Sequence, residues 1–331
     1  MNKWQRIEKV LEGGKPDRTP VSLWRHFFRE EQTAKGLAGA MLDFQRKFDW
    51  DFMKVNPRAV YHPEAWGNRY TFGTDDQTSP ELEHSIVENG DWSAVTRVSP
   101  DHGALGEQLE ALRMIKAELE SDTPFIMTVF TPLSIASRIV GDDNTMKEHL
   151  AAQPEACHEA LAAITQTFID FADACTIAGV WGFFYATTTW ATTDRITPEE
   201  YAEFGRPYDL KLFEAMGDAR LNVLHVCQSN NMVLDLLDYP AHVINWDWLD
   251  DTNPAPGEVL KKAGASVAGG ISREAAEQDD TSRAVSEASE AIGRVPAQRL
   301  ILGGACTISV DSRDENLLAI RRAVDTVGGG E

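Results

Sequence analysis

The stretch LNVLHVCQSNNMVLDLLDYPAHVINWDWLDDTNPAPGEVLKKAGASVAGGIS (221–272) decides the fold. It holds three short runs of apolar and β-branched residues: NVLHVC (222–227), HVINWDW (242–248) and SVAGGIS (266–272). Helical patterns separate them at 232–237 and 255–262. The same alternation continues outward. TPVSLW (19–24), DFMKVN (51–56), PFIMTVF (124–130) and VWGFFYA (180–186) precede it, and RLILGGAC (299–306) follows. Helical patterns fill 33–48, 105–119, 145–178 in two pieces, 198–219, 281–292 and 315–327. TPEE (197–200) reads as a helix start, with Thr197 as cap, Pro198 first and two acids in the first turn. Eight strands each followed by a helix are the inventory of a single (β/α)8 TIM barrel, an α/β fold spanning 1–331. The alternative is an open doubly wound sheet. Its dinucleotide-binding form would carry GxGxxG after an early strand, and none stands there. The irregular, polar stretch at about 57–104 reads as an excursion after the second strand, over the barrel mouth.

Of the 331 residues, 43% are hydrophobic, which is ample for a core. The 31 basic and 52 acidic residues give a formal charge of -21, so no cationic surplus exists for a nucleic acid or an anionic membrane. No run reads as a membrane span of about 20 apolar residues. The N-terminus lacks the apolar region of a signal peptide. The expectation is a cytoplasmic protein whose four cysteines are free or metal-bound.

His225 and Cys227 lie two apart on one strand, so both face the same side at its C-terminal end. Barrel enzymes do their chemistry at that end, and Cys306 closes the last strand at the same end. One imidazole and two thiolates suit zinc, and three protein ligands leave a fourth position open. The competing reading is a small buried hydrophobe, which is how Cys157 and Cys175 read in their Ala-flanked helical patterns. Asp247, between two tryptophans, needs a partner if buried. It is a support for a ligand, a metal ligand or an anchor for substrate. Arg25, His26 and Arg29 follow the first strand. A helical turn there would put both arginines on one face as an anion clamp; otherwise they form a solvated charged turn. Lys54 and Asn56 close the second strand, with Arg58, Tyr61, His62 and Glu64 next, and Tyr185 closes the fourth.

Four segments carry a family resemblance: KPDRTPVSLWRHFFRE (15–30), TVFTPLSIASRIVG (128–141), HVINWDWLDD (242–251) and RLILGGACTISVDSRDENLLAIRRAV (299–324). Together they resemble the uroporphyrinogen decarboxylase superfamily. The resemblance implies a distorted (β/α)8 barrel of one domain, often dimeric. Its decarboxylases use paired arginines, an aspartate after strand 2, a tyrosine after strand 3 and a histidine near strand 8. Arg25 and Arg29 match the arginines, while Asn56, Arg138 and Gly304 stand at the other three positions. A second branch, the zinc-dependent methyltransferases that act with corrinoid proteins, has an H-x-C pair and a distant cysteine. His225, Cys227 and Cys306 match that pattern.

The resemblance thus implies zinc on His225, Cys227 and Cys306. It implies transfer of a methyl group from a methyl-corrinoid, carried by a partner protein, to a zinc-activated thiol or similar small anionic acceptor. The chain has no DxHxxG corrinoid-binding signature, so the corrinoid would arrive separately. Arg25, His26, Arg29, Asn56 and Arg138 are the expected substrate-binding residues. Asp247 and Tyr185 are the expected catalytic ones. Asp247 would orient His225 or a water, and Tyr185 would donate to the acceptor or complete the metal shell. The rival readings are a metal-free decarboxylase of an anionic tetrapyrrole or other carboxylate, zinc-dependent methyl transfer to an acceptor such as a folate, and a non-catalytic corrinoid or tetrapyrrole binder.

Overall fold

The computed structural model describes residues 1–75, 77–87 and 90–327. Its strands are β1 (Val21–Ser22), β2 (Met53–Val55), β3 (Arg69–Thr71), β4 (Glu81–His84), β5 (Phe125–Phe130), β6 (Gly182–Ala186), β7 (Val223–Val226), β8 (Val243–Trp246), β9 (Ser266–Ile271) and β10 (Leu300–Gly304). Eight of them form one parallel sheet in the order β1-β10-β9-β8-β7-β6-β5-β2. They fall within the eight apolar runs and form a nearly closed (β/α)8 barrel wrapped by helices. The remaining pair, β3 and β4, is an antiparallel hairpin.

The seam between β1 and β2 is closed largely by one aspartate. Asp51 N donates to Val21 O at 2.9 Å, and Val21 N donates back to Asp51 Oδ2 at 2.8 Å. Ser22 Oγ adds a bond to Phe52 O at 2.7 Å. The Asp51 carboxylate is fully buried and is held by Arg6 at 2.6 Å and Arg18 at 2.7 Å. Arg6 lies on a helix the sequence reading did not anticipate, Lys3–Leu11, capped reciprocally by Asn2 and Gln5. That helix plugs the barrel floor. Its Ile7 and Val10 join an interior cluster with Trp24, Phe52, Phe184, Val223 and Ile301.

Strand alternation separates two cores. Phe184 and Ala186 of β6 belong to the interior cluster, whereas Phe183 and Tyr185 belong to the layer between sheet and helices. In that outer layer a carboxylate gathers three phenols. Asp209 accepts hydrogen bonds from Tyr185 at 2.7 Å and from Tyr201 and Tyr239 at 2.8 Å each. Burial pushes its carboxyl up to about 6, against the pull of the three hydroxyls. With the folded-state value raised above the unfolded one, Asp209 stabilises the fold most below about pH 4. That contribution is lost as pH rises through 6. Relative to Asp209→Asn, the wild type should lose about 1 kcal/mol per pH unit between pH 4.5 and 6 in urea unfolding. A pH-independent difference between the two proteins would count against this account.

The helical patterns appear with breaks where proline requires them. The 145–178 pattern divides into Asp143–Ala152 and Pro154–Ala178. The 198–219 pattern divides into Pro198–Phe204 and Arg206–Ala215, because Pro207 has no N–H to donate into a continuing helix. Thr197 caps the first of these, in a reciprocal box with Glu200. Pro154–Ala178 is long and apolar enough to cross a membrane by length and composition, contrary to the sequence reading. It instead lays Leu161, Ile164, Phe168 and Phe171 into the outer core.

The 57–104 excursion lies partly outside the described residues. Its described part packs Trp66, Val87, Trp92 and Val95 into the outer core. Its hairpin loop reaches the barrel's C-terminal end. There Gly73 O accepts from Gln32 at 2.8 Å, and Gln77 Nε2 donates to Asp311 at 2.8 Å.

Candidate metal centre

His225 faces the barrel interior on β7, with Cys227 just past the strand's end and Cys306 two residues beyond β10. Cys227 Sγ and Cys306 Sγ are 3.8 Å apart, and Cys306 Sγ is 3.4 Å from His225 Nε2. All three donor atoms lie within 4.8 Å of one another. A tetrahedral zinc with ordinary bond lengths would separate two sulfurs by about 3.8 Å and sulfur from nitrogen by about 3.5 Å. The donor set therefore fits a zinc-sized ion.

Two local features bring these groups together. The first is Gly304: a Cβ there would lie 2.4 Å from Cys306 O, so only glycine allows the tight turn that folds Cys306 back over the mouth. The second is Asn245, the register partner of His225 on β8. Asn245 Nδ2 donates to Ala268 O at 2.8 Å and Gly304 O at 3.0 Å. Its Oδ1 is thereby left to accept from His225 Nδ1, at 2.6 Å. The proton sits on Nδ1, and Nε2 offers its lone pair to the cysteines. Phe184 stacks on the imidazole with ring centroids 5.2 Å apart. Loss of the Asn245 contact, as in Asn245→Ala, should weaken zinc affinity about 10–100-fold with the fold retained, as measured by chelator competition.

The two thiols share charge. The hydrogen bond from Cys227 holds the Cys306 thiol below its usual range, opposed by burial. Cys227 is pushed up by that hydrogen bond, by burial and by the neighbouring charge. Of the two thiols, Cys306 is thus the one that loses its proton more readily.

The other expected site residues are not all at this centre. Tyr185 is displaced from its expected role. Ala186 pairs in register with the inward-facing His225, so Tyr185 points outward to Asp209. Asp247 does not orient His225, because Asn245 occupies that position. Its Oδ1 accepts from Leu249 N at 2.9 Å, and burial pushes its carboxyl up, with the Cys306 charge adding to the rise. The arginine clamp relied on a helical turn, but the chain from Leu23 to Arg29 is not helical and a 3-10 turn starts only at Glu30. Arg25 donates to Val310 O at 3.0 Å and lies over Phe27 and Phe44. Arg29 is largely exposed beside Glu30 at 2.8 Å. His26 Nδ1 contacts Glu31 at 3.0 Å. Arg138 lines a separate cleft of about 460 Å³ with Tyr70, Ser137 and Arg195. Asn56 is buried, and its Oδ1 accepts from Lys54 Nζ. Cys157 and Cys175 are buried in the helical layer, as expected for structural thiols.

Asn245 and Phe184 escaped the sequence reading. The signal for Asn245 was its parity: it lies two residues before Asp247, a polar side chain on the inward face of an apolar strand.

Comparison with known proteins supports the fold. A structure described as a methyltransferase from Methanosarcina mazei superposes with a TM-score of 0.82 at 18% identity, covering 98% of each chain. That likeness establishes the fold. Among curated proteins, a uroporphyrinogen decarboxylase of Carboxydothermus hydrogenoformans is 25% identical over 191 residues, 56% of this chain and 53% of its own. A methylcobamide:CoM methyltransferase of Methanosarcina mazei is 25% identical over 203 residues, 59% of this chain and 58% of its own. The chain thus spans about half the length of the curated relatives it matches. These relatives are enzymes of two different chemistries. The sequence profile of the uroporphyrinogen decarboxylase (URO-D) family matches residues 2–327, and the chain belongs to that family.

Proposed function

We propose that this protein is a zinc-dependent methyltransferase. It moves a methyl group from a methyl-corrinoid, presented by a partner protein over the barrel mouth, to the sulfur of a small thiol or similar anionic acceptor. The observation that carries the reading is the His225–Cys227–Cys306 donor set, whose spacing suits a tetrahedral ion and whose imidazole tautomer is set by Asn245. Zinc, when bound, supplies Lewis acidity that favours a thiol as its thiolate near neutral pH.

The chain's own residues account for the rest. Cys227 and Cys306 bring soft donors, and His225 brings a neutral nitrogen held by Asn245 and Phe184. Asp247 sits close enough for its charge to be felt by both thiols and would receive the proton of an arriving thiol. The plugged floor and apolar interior keep bulk water from below the site. Gly304 favours this reading over decarboxylation. It stands where the resemblance places a decarboxylase histidine, and a side chain there would collide with the turn that presents Cys306.

The test pairs elemental analysis with turnover. The purified wild type should hold close to one zinc per chain and should demethylate methylcobalamin in the presence of a small thiol. A zinc-free wild type that releases carbon dioxide from an anionic tetrapyrrole would replace this reading with the decarboxylase.

A further inference from the structure

Lys54 is almost completely buried on the interior face of β2. Its Nζ donates to the Oδ1 of Asn56, a neutral acceptor. It also lies over the rings of Phe184, at 4.5 Å, and Trp24, at 5.7 Å. Among the described residues no carboxylate pairs with it. Glu31, whose charge reaches it, already accepts from Phe27 N at 3.1 Å and contacts His26 Nδ1 at 3.0 Å. A buried ammonium without an anionic partner is costly, and the two negative charges that reach it are those of Cys306 and Glu31. The Phe184 ring that Lys54 faces is the one that stacks on His225, and the Cys306 charge acts directly on Lys54.

Charge counting gives this placement a meaning. A divalent ion at the centre would neutralise the Cys306 and Cys227 thiolates, which leaves Glu31, already engaged by Phe27 N and His26, as the anion whose charge reaches Lys54. We propose that Lys54 selects the charge of the further ligand at this centre, favouring an anion of the thiolate class over a neutral molecule. The inference rests on the metal-centre reading above and deepens it. Burial pushes the ammonium down to about 7 while Cys306 and Glu31 pull it up, so a further anion nearby would hold it charged. Lys54 acts through its field and touches none of the reacting atoms.

The test uses the full chain loaded with cobalt(II), whose visible spectrum reports each added ligand. Wild type, Lys54→Met and Lys54→Gln are titrated with thiocyanate, an anion, and with imidazole, a neutral ligand. Replacing a buried charge by a side chain of similar length is generally tolerated by the fold. The thiocyanate Kd should rise at least about tenfold in both variants, with imidazole affinity within about threefold and cobalt loading unchanged. Unchanged thiocyanate binding, or equal weakening of both ligands, would overturn the proposal. Failure of both variants to take up cobalt would also overturn it, by making Lys54 a residue of metal retention. A wild type that takes up no cobalt would instead sink the metal-centre reading itself.

Discussion

The Cys306→Ala protein should purify with less than about a tenth of the wild-type zinc and transfer methyl groups at least about a thousandfold more slowly. The reason is its place in the donor set. Cys306 is the group that meets both partners, at 3.8 Å from Cys227 and 3.4 Å from His225. It is also the more readily deprotonated of the two thiols. Without it, His225 and Cys227 are two ligands on one strand, too few to retain zinc against a chelator. Cys175→Ala is the matched control. It removes a thiol buried in the helical shell and should keep both zinc and activity. Full zinc occupancy in Cys306→Ala, measured by elemental analysis, would place the ion elsewhere and end the proposed function in its present form.

Asp51→Ala should cost about 3–5 kcal/mol of folding stability without touching the metal ligands. The carboxylate is fully enclosed and accepts from Arg6, from both Nη atoms of Arg18 and from Val21 N. Removing it takes the shared buried anion from two largely buried guanidinium groups and breaks the Val21 N to Asp51 Oδ2 bond, leaving Asp51 N to Val21 O and Ser22 Oγ to Phe52 O to hold a seam that no ladder closes. Arg6 keeps Asp17 at 2.7 Å and Arg18 keeps the more exposed Asp325 at 3.1 Å, which softens the loss. Denaturant unfolding of wild type and variant measures the difference. A loss below about 1 kcal/mol would mean that the seam is held by interior packing and not by this network.

The barrel was legible because its strands are short, apolar and regularly spaced, and each run from TPVSLW to RLILGGAC contains one observed strand. The clustering of the candidate donors was legible for a related reason. Residues two apart on a strand share a face whatever the surroundings, so His225 and Cys227 had to point together. Tyr185 went astray on the same rule. Its strand-end position suggested the mouth, but which parity faces inward depends on the neighbouring strands. The pairing of Ala186 with His225 turns Tyr185 to the helices. The arginine pair failed at a different level, because the spacing of Arg25 and Arg29 implies one face only if the backbone between them is helical.

Sequence by itself thus determined the strand order along the chain, the family and which three side chains, His225, Cys227 and Cys306, form the candidate donor set. These properties reside in local periodicity and residue chemistry. Tertiary structure alone decided that Asn245 and not Asp247 orients His225, that Asp51 closes the seam, and that Lys54 lies within electrostatic reach of Cys306. Each of these depends on register between strands distant in sequence. In a closed barrel a shift of one residue exchanges inside for outside, so the partners of a buried polar group are set by how the strands meet.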